Sequence, residues 1–219
     1  MSFCGGNQPR YSIPLPEKLF SFLKDRTLEK VLDVGCGYGR ACFFLQEKGC
    51  NVVGVDVDKA QIRMALKEAK ERSISQKTSL VVNDASNLCL QDSSFDAVTM
   101  LGLLTLIPKQ RRQKILDEAW RVLRPSGFLF IEEFGRTWQN PVYASRYKDD
   151  FEVTREKGTF TLKDEHDNVI HLAHHFSRKE LLTLLKKFRT LSFEEDMFTS
   201  YYHKNWVRGF IILLQKQEQ

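Results

Sequence analysis

The chain has 219 residues, 42% of them hydrophobic, enough for one globular domain with a sizeable core. Its 33 Lys and Arg against 28 Asp and Glu leave a net charge of only +5, which argues against nucleic acid, whose binders gather unmatched basic residues on one face. Five cysteines, at 4, 36, 42, 50 and 89, fit neither metal-ligand spacing nor a disulfide framework, and no apolar run nears the roughly twenty residues that cross a bilayer, so a reduced, cytoplasmic protein is expected.

Residues 1 to about 25 carry no regular pattern and are expected to cap a ligand site; Tyr11, beside Arg10, either closes over it or belongs to a mobile terminus, the second reading being slightly favoured. The first clear element is the run from Val31 to Gly39, VLDVGCGYG, in which Val31, Leu32 and Val34 read as a strand buried on both faces. Gly35, Gly37 and Gly39 then alternate, so the backbone can turn sharply and bring N–H groups and a helix N-terminus to a ligand. The spacing is not that of the dinucleotide fingerprint, because Arg40 stands three residues after Gly37, where a third glycine would let helix and strand pack closely. Asp33 on this strand suits an ammonium group and repels a pyrophosphate. The next strand, from Asn51, ends in Asp56, about twenty residues past the first glycine, where an acid holds both ribose hydroxyls. Adenosine joined to an ammonium-bearing tail describes S-adenosylmethionine, and NAD is disfavoured.

Asp58, with Gln61 three residues on, is placed to open a helix whose Ile62, Ala65, Leu66 and Ala69 form an inward stripe. Pro108 fits the first turn of another, with Ile115, Leu116, Ala119, Trp120 and Leu123 inward until Pro125-Ser126-Gly127 stops it. Residues 133 to about 176 again lack a regular pattern and read as an insert rich in aromatics: Phe134, Trp138, Tyr143, Tyr147, Phe151 and Phe160. These either line an acceptor pocket or make a satellite core. Ser177 and Glu180 form a capping-box pair opening a third helix, with Leu181, Leu184, Leu185 and Phe188 inward. The tail from Leu191 to Lys216 reads as an antiparallel hairpin with its corner at His203-Lys204-Asn205. Alternating helix and strand patterns predict an α/β fold of parallel β-α-β units.

Five segments in order, VLDVGCGYG, VVGVDVD, VVNDASNL (Val81 to Leu88), FDAVTMLGLL (Phe95 to Leu104) and LRPSGFLFIEE (Leu123 to Glu133), carry a resemblance. The chain resembles the class I S-adenosylmethionine-dependent methyltransferases, most closely the small-molecule branch of the ubiquinone and menaquinone biosynthesis type. The resemblance implies a Rossmann-like, seven-stranded, mostly parallel sheet with helices on both faces and an antiparallel last strand, in a single domain over 1–219. It implies S-adenosylmethionine as cofactor, S-adenosylhomocysteine as product and a small-molecule acceptor. By position in the matching motifs, Asp33, Gly35, Cys36, Gly37 and Gly39 would hold the amino-acid tail and ribose, and Asp56 and Val57 the ribose side. Asp84 and Ala85 would meet the adenine, and Leu101 and Gly102 would flank the tail.

Methyl transfer from a sulfonium is an in-line displacement on an activated donor, so the protein chiefly aligns the reactants and excludes water. A general base is needed when the acceptor is a hydroxyl or a carbon acid, less so for a thiol or an amine. Candidates are Glu133 with its neighbour Glu132 at the end of the fifth strand, His174, His175 and Tyr11. The bland reading of the two histidines is a loop pair bonded to the backbone. With His171 they spell H-x-x-H-H, but a helix and companion acids for a metal are missing, so no metal is expected. The fourth strand lacks an Asn-Pro-Pro-Tyr type signature, and no proline precedes a cysteine, which argues against methylation of nucleic-acid bases. From Glu132 to Phe176 nine acids face six Lys and Arg, and a protein or RNA methyltransferase would instead show a basic groove there. A non-catalytic S-adenosylmethionine-binding protein, the other alternative, would show side chains plugging the acceptor side.

Overall fold

A computed structural model describes residues 17–24, 26, 28–74, 76–199 and 205–217. Tyr11, Cys4, most of the proposed N-terminal cap, and His203 and Lys204 of the expected hairpin corner lie outside the described residues. Helix α1 (Glu17–Lys24) leads into β1 (Lys30–Val34), α2 (Arg40–Glu47), β2 (Asn51–Asp56), α3 (Lys59–Glu71), β3 (Thr78–Val82) and β4 (Phe95–Leu101). A 3-10 turn at Leu104–Leu106, α4 (Lys109–Val122) and β5 (Leu123–Phe134) follow. Next come α5 (Pro141–Asp149), α6 (Phe151–Thr154) and a separate two-stranded sheet of β6 (Thr159–Lys163) and β7 (Val169–His174). Last are α7 (Arg178–Leu184), β8 (Phe188–Thr199) and β9 (Trp206–Lys216).

The main sheet has seven strands in the order β3-β2-β1-β4-β5-β9-β8. The first five are parallel, and β9 runs antiparallel to both its neighbours. This is the Rossmann-like arrangement implied by the motif series. Both faces are covered, as the apolar run of β1 requires: Phe22, Phe43, Leu45 and Ile62 from α1, α2 and α3 pack on one side. Ile115, Leu116, Ala119 and Leu181 from α4 and α7 pack on the other. Among the described residues no helix is long and apolar enough to cross a membrane.

Local signals translate with small corrections. Asp58 caps α3 by accepting the N–H groups of Ala60 and Gln61, and the Gln61 amide donates to its carboxylate at 3.0 Å. Ile62, Ala65 and Ala69 are buried, but Leu66 is 48% exposed, because it lies one helical step round from Ala65 and off the narrow seam. Pro108 is the N-cap of α4 rather than its first turn, and Leu123 begins β5 instead of ending the helix. Trp120 is half-buried, with the Lys187 and Lys216 ammonium groups 4.1 and 4.0 Å from its ring. Likewise Phe188, assigned to the third helix, is the first residue of β8.

The larger correction is residues 133–176. Glu133 and Phe134 complete β5, and the rest folds into two helices and a hairpin sheet. Elements of four to nine residues are too short to show a clear period, which hid them. The Ser177–Glu180 capping box forms as read, the Glu180 N–H donating to Ser177 Oγ at 3.2 Å. Ser177→Ala should therefore lower stability by about 1 kcal/mol in urea unfolding, and an unchanged midpoint would mean that the cap contributes nothing.

Candidate cofactor and acceptor site

The glycine turn starts immediately after β1. The N–H groups of Gly35 and Cys36 donate to the Val55 carbonyl at 2.8 and 3.0 Å, tying the turn to the end of β2. Gly35, Gly37 and Gly39 have φ of 75°, 54° and 81°, in the left-handed region that residues with a Cβ rarely enter. A Cβ on Gly35 would also stand 2.7 Å from Leu103 Cδ1, so the segment after β4 lies directly on the turn. The Cys36 side chain points inward, leaving its backbone to line the turn. Gly37 N–H donates to Asp56 Oδ2 and Asp58 N–H to Asp56 Oδ1, both at 2.9 Å.

These contacts use part of the capacity of the Asp56 carboxylate and leave lone pairs for two hydroxyls. Val57, next along, is 64% exposed and presents apolar surface beside it. Leu101 closes β4, and Gly102 follows with φ 70°, facing a Phe134 ring carbon 3.8 Å from where its Cβ would stand. The carboxyl ends of β1, β2 and β4 thus gather the glycines, Asp56, Val57, Leu101 and Gly102 at one edge. The turn, the acid and the apolar shelf fit a nucleoside cofactor with a short tail.

Two of the expected contact residues, Asp33 and Asp84, are held in place by neighbouring side chains. Asp33 is 3% exposed and accepts from Thr99 Oγ1 at 2.7 Å and Cys42 Sγ at 3.3 Å. Burial raises its pKa, and those two hydrogen bonds oppose the rise. Its carboxyl ties β1 to β4 and α2 directly beneath the glycine turn. Asp84 stands in the loop after β3, where Ser86 N–H and Oγ and both Arg111 contacts, at 2.5 and 2.6 Å, occupy its oxygens. The Ser86 N–H is the largest of the influences holding its carboxyl below the usual range. Ala85 beside it is buried. Arg111 gave no sequence signal, since one basic residue among several on a polar helix face does not announce a partner 27 positions away.

The paired acids of β5 separate completely. Strand alternation points them to opposite faces of the sheet. Glu133 accepts from Leu104 N–H, Thr105 N–H and Thr105 Oγ1 at 2.6, 3.0 and 2.8 Å, so it anchors the segment after β4. Burial pushes its pKa up to about 7 against those bonds. Glu132 is 1% exposed, and neither oxygen has a hydrogen-bond partner among the described residues.

Both candidate histidines are buried. His175 Nδ1 lies 2.7 Å from the Tyr147 hydroxyl, and its ring packs among Phe134, Tyr143 and Phe160. Tyr143, Tyr147 and Phe160 form a satellite core with Ala173 and Val207, so these aromatics do not line an open pocket. Trp138 stays 50% exposed. His174 Nδ1 lies 2.7 Å from Thr159 Oγ1, and burial lowers its pKa. Its Nε2 is 3.0 Å from Glu180 Oε1 but off the hydrogen-bonding direction. His171 is exposed on β7.

Glu156, His174 and Glu180 place ligand-type atoms within 4.8 Å of one another. The Arg112 guanidinium already supplies their positive charge, 2.6 Å from Glu156 Oε1 and 3.8 Å from Glu180 Oε1. A cavity of about 290 Å³ lies against this cluster, lined by Thr105, Ile107, Arg112, His171 and His174. It opens on the Glu133 side of β5, because Thr105 binds Glu133.

A methyltransferase-domain family model matches residues 31–127, the stretch that carries the glycine turn, Asp56, Asp84 and β4. A SAM-dependent methyltransferase from Methanosarcina mazei has a structure similar to this one, with a TM-score of 0.87 and 34% identity over 94% of this chain and 99% of that one. The chain belongs to the class I S-adenosylmethionine-dependent methyltransferases. Within that family it is 35% identical over 128 residues to a ubiquinone/menaquinone biosynthesis C-methyltransferase from Zymomonas mobilis, covering 58% of this chain and 50% of that protein. It is 29% identical over 188 residues to the enzyme of the same name from Roseobacter denitrificans, covering 83% and 73%. The chain spans between 42% and 50% of the length of the first three curated relatives that it matches.

Proposed function

We propose that the chain transfers a methyl group from S-adenosylmethionine to a small molecule in the cytoplasm, with residues 1–219 acting as one domain and 1–25 and 133–176 framing the acceptor side. The observation that carries this is the single edge on which the left-handed glycines, the Asp56 carboxylate and Gly102 meet. Relatives named as C-methyltransferases of quinone biosynthesis support a small-molecule acceptor. Among the described residues Cys36, Cys42, Cys50 and Cys89 are free thiols, which suits a reducing compartment.

When bound, S-adenosylmethionine supplies a methyl group already activated by the sulfonium charge. Asp56 would accept hydrogen bonds from the ribose hydroxyls with Val57 beside them, and Ala85 would border the adenine. Asp84, held ionised by Ser86 and Arg111, closes that end of the site. The turn at Gly35, Cys36, Gly37 and Gly39 and the Leu101–Gly102 segment give backbone room to the amino-acid tail. Phe134 borders the acceptor and helps exclude water.

Calorimetric titration with S-adenosylmethionine, S-adenosylhomocysteine and NAD tests the reading. Both adenosyl ligands should bind and NAD should not; binding of NAD alone would sink it. Asp56→Ala strands two ribose hydroxyls and should weaken both adenosyl ligands by about 2 to 3 kcal/mol, roughly 30- to 150-fold. An unchanged affinity in the folded variant would contradict this placement of the ribose.

A further inference from the structure

Glu132 is the buried group that nothing in the proposed cofactor site uses. At the very next position the fold supplies Glu133 with three donors, yet Glu132, 1% exposed, has none among the described residues. A buried polar group without a partner is costly, and proteins keep few of them away from functional sites. Its location is informative. Glu132 pairs in register with Leu101 and Ile211, and its carbonyl accepts Gly102 N–H at 2.7 Å.

Its side chain shares a face with Phe130 and Phe134, and Phe134 meets Phe198 edge to face at 6.2 Å. A cavity of about 170 Å³ on that face reaches Phe130 and Ile211. In the sheet order β1-β4-β5, Glu132 stands at the carboxyl end of β5, two strands, roughly 10 Å, from β1 and its glycine turn.

We infer that Glu132 is the catalytic base of the transfer, and that the acceptor is therefore a molecule with a proton on the atom to be methylated: a hydroxyl, an N–H or an acidic C–H. This rests on the methyltransferase reading above. As the acceptor's lone pair bonds to the methyl carbon, the electron pair of the carbon–sulfur bond stays on sulfur and the acceptor's proton passes to a Glu132 oxygen. The change of charge favours that transfer. Burial pushes the Glu132 carboxyl up to about 8. Arg40 of α2 lowers it, and Glu133 of its own strand and Asp196 of β8 raise it. Lys18 of α1, on the same side, is paired with Glu194. A sulfonium in the site favours the carboxylate, and once the methyl has left, the neutral thioether lets the carboxyl hold a proton again.

The test needs no acceptor. S-adenosylmethionine and S-adenosylhomocysteine share an ammonium and a carboxylate and differ by the methyl and its charge. Calorimetry of the full chain at pH 7, in two buffers of different protonation enthalpy, counts the protons released on binding each. A nearby cation lowers a carboxyl pKa by about 1 to 3 units, so S-adenosylmethionine should release about 0.4 to 0.9 proton more than S-adenosylhomocysteine.

Glu132→Gln should bind both ligands and abolish that difference. Equal release by the two ligands, or a difference that survives in Glu132→Gln, overturns the inference. Failure of both ligands to bind the wild-type chain overturns the methyltransferase reading itself. If Glu132→Gln does not fold, carbon-13 NMR of the wild-type glutamate carboxyls decides. A signal titrating near 8 should move down with S-adenosylmethionine and stay with S-adenosylhomocysteine; identical behaviour with both rejects the role.

Discussion

Replacing Arg112 by methionine is expected to lower stability by about 3 to 5 kcal/mol at neutral pH. The Arg112 side chain is among the largest that are fully buried in the chain. Its Nε donates to the Ile107 carbonyl at 2.9 Å, and its Nη atoms reach both oxygens of Glu156 at 2.6 and 3.3 Å. The guanidinium also lies 5.1 Å from the Phe176 ring centre. Glu156 follows α6 and Glu180 opens α7, so one cation on α4 joins three separate parts of the chain. Methionine fills much of the volume but leaves the Glu156 carboxylate without its positive partner, and that uncompensated charge dominates over lost packing. The loss is a large share of the 5 to 15 kcal/mol typical of a domain. Urea unfolding measures it. A loss below about 1 kcal/mol would mean that Arg136, 2.8 Å from Glu180, already neutralises the cluster. Adding Glu156→Gln to Arg112→Met should restore part of the stability, since it removes a stranded charge.

Glu132→Gln is expected to change how stability depends on pH. In the folded chain the Glu132 carboxyl is raised to about 8, against an ordinary value of 4.5. The folded state therefore holds a proton that the unfolded chain has already released. Stability from this group is fully present below about pH 4.5 and is lost as pH rises through about 8. Glutamine is neutral throughout. The variant should match wild type near pH 4.5 and exceed it by about 3 to 5 kcal/mol above pH 8.5, an upper range set by one pKa unit being about 1.4 kcal/mol. Glu133, raised to about 7 chiefly by burial, adds a slope that wild type and variant largely share. Parallel stability curves from pH 5 to 9 would show that Glu132 finds a partner in solution.

Much of the cofactor edge was legible in the sequence, because it depends on local backbone chemistry. Three alternating glycines announce a turn that only left-handed residues can make, and all three adopt it. Asp56 ends its strand, and Asp58 and Ser177 cap the helices they precede, since a cap is settled by residues within one turn. The five parallel strands and the final antiparallel pair follow from apolar runs and from the resemblance, and the strand order of the sheet agrees with it.

Partnerships across the fold were not legible. Nothing in the run Ile131-Glu132-Glu133-Phe134 tells which acid will be satisfied. Strand alternation sends Glu133 to Leu104 and Thr105 and leaves Glu132 on the other face with none. The sequence carries no sign that Thr99, 66 positions away, donates to the Asp33 carboxyl. The insert aromatics had two readings in the sequence, pocket or core, and burial of Tyr143, Tyr147 and Phe160 around the His175 imidazole decided for core. The sequence by itself determined where the backbone turns, caps and alternates, because those choices are local. Only the tertiary structure decided which buried charges are paired, because pairing joins residues that are distant in the chain and meet when the sheet and its flanking layers close.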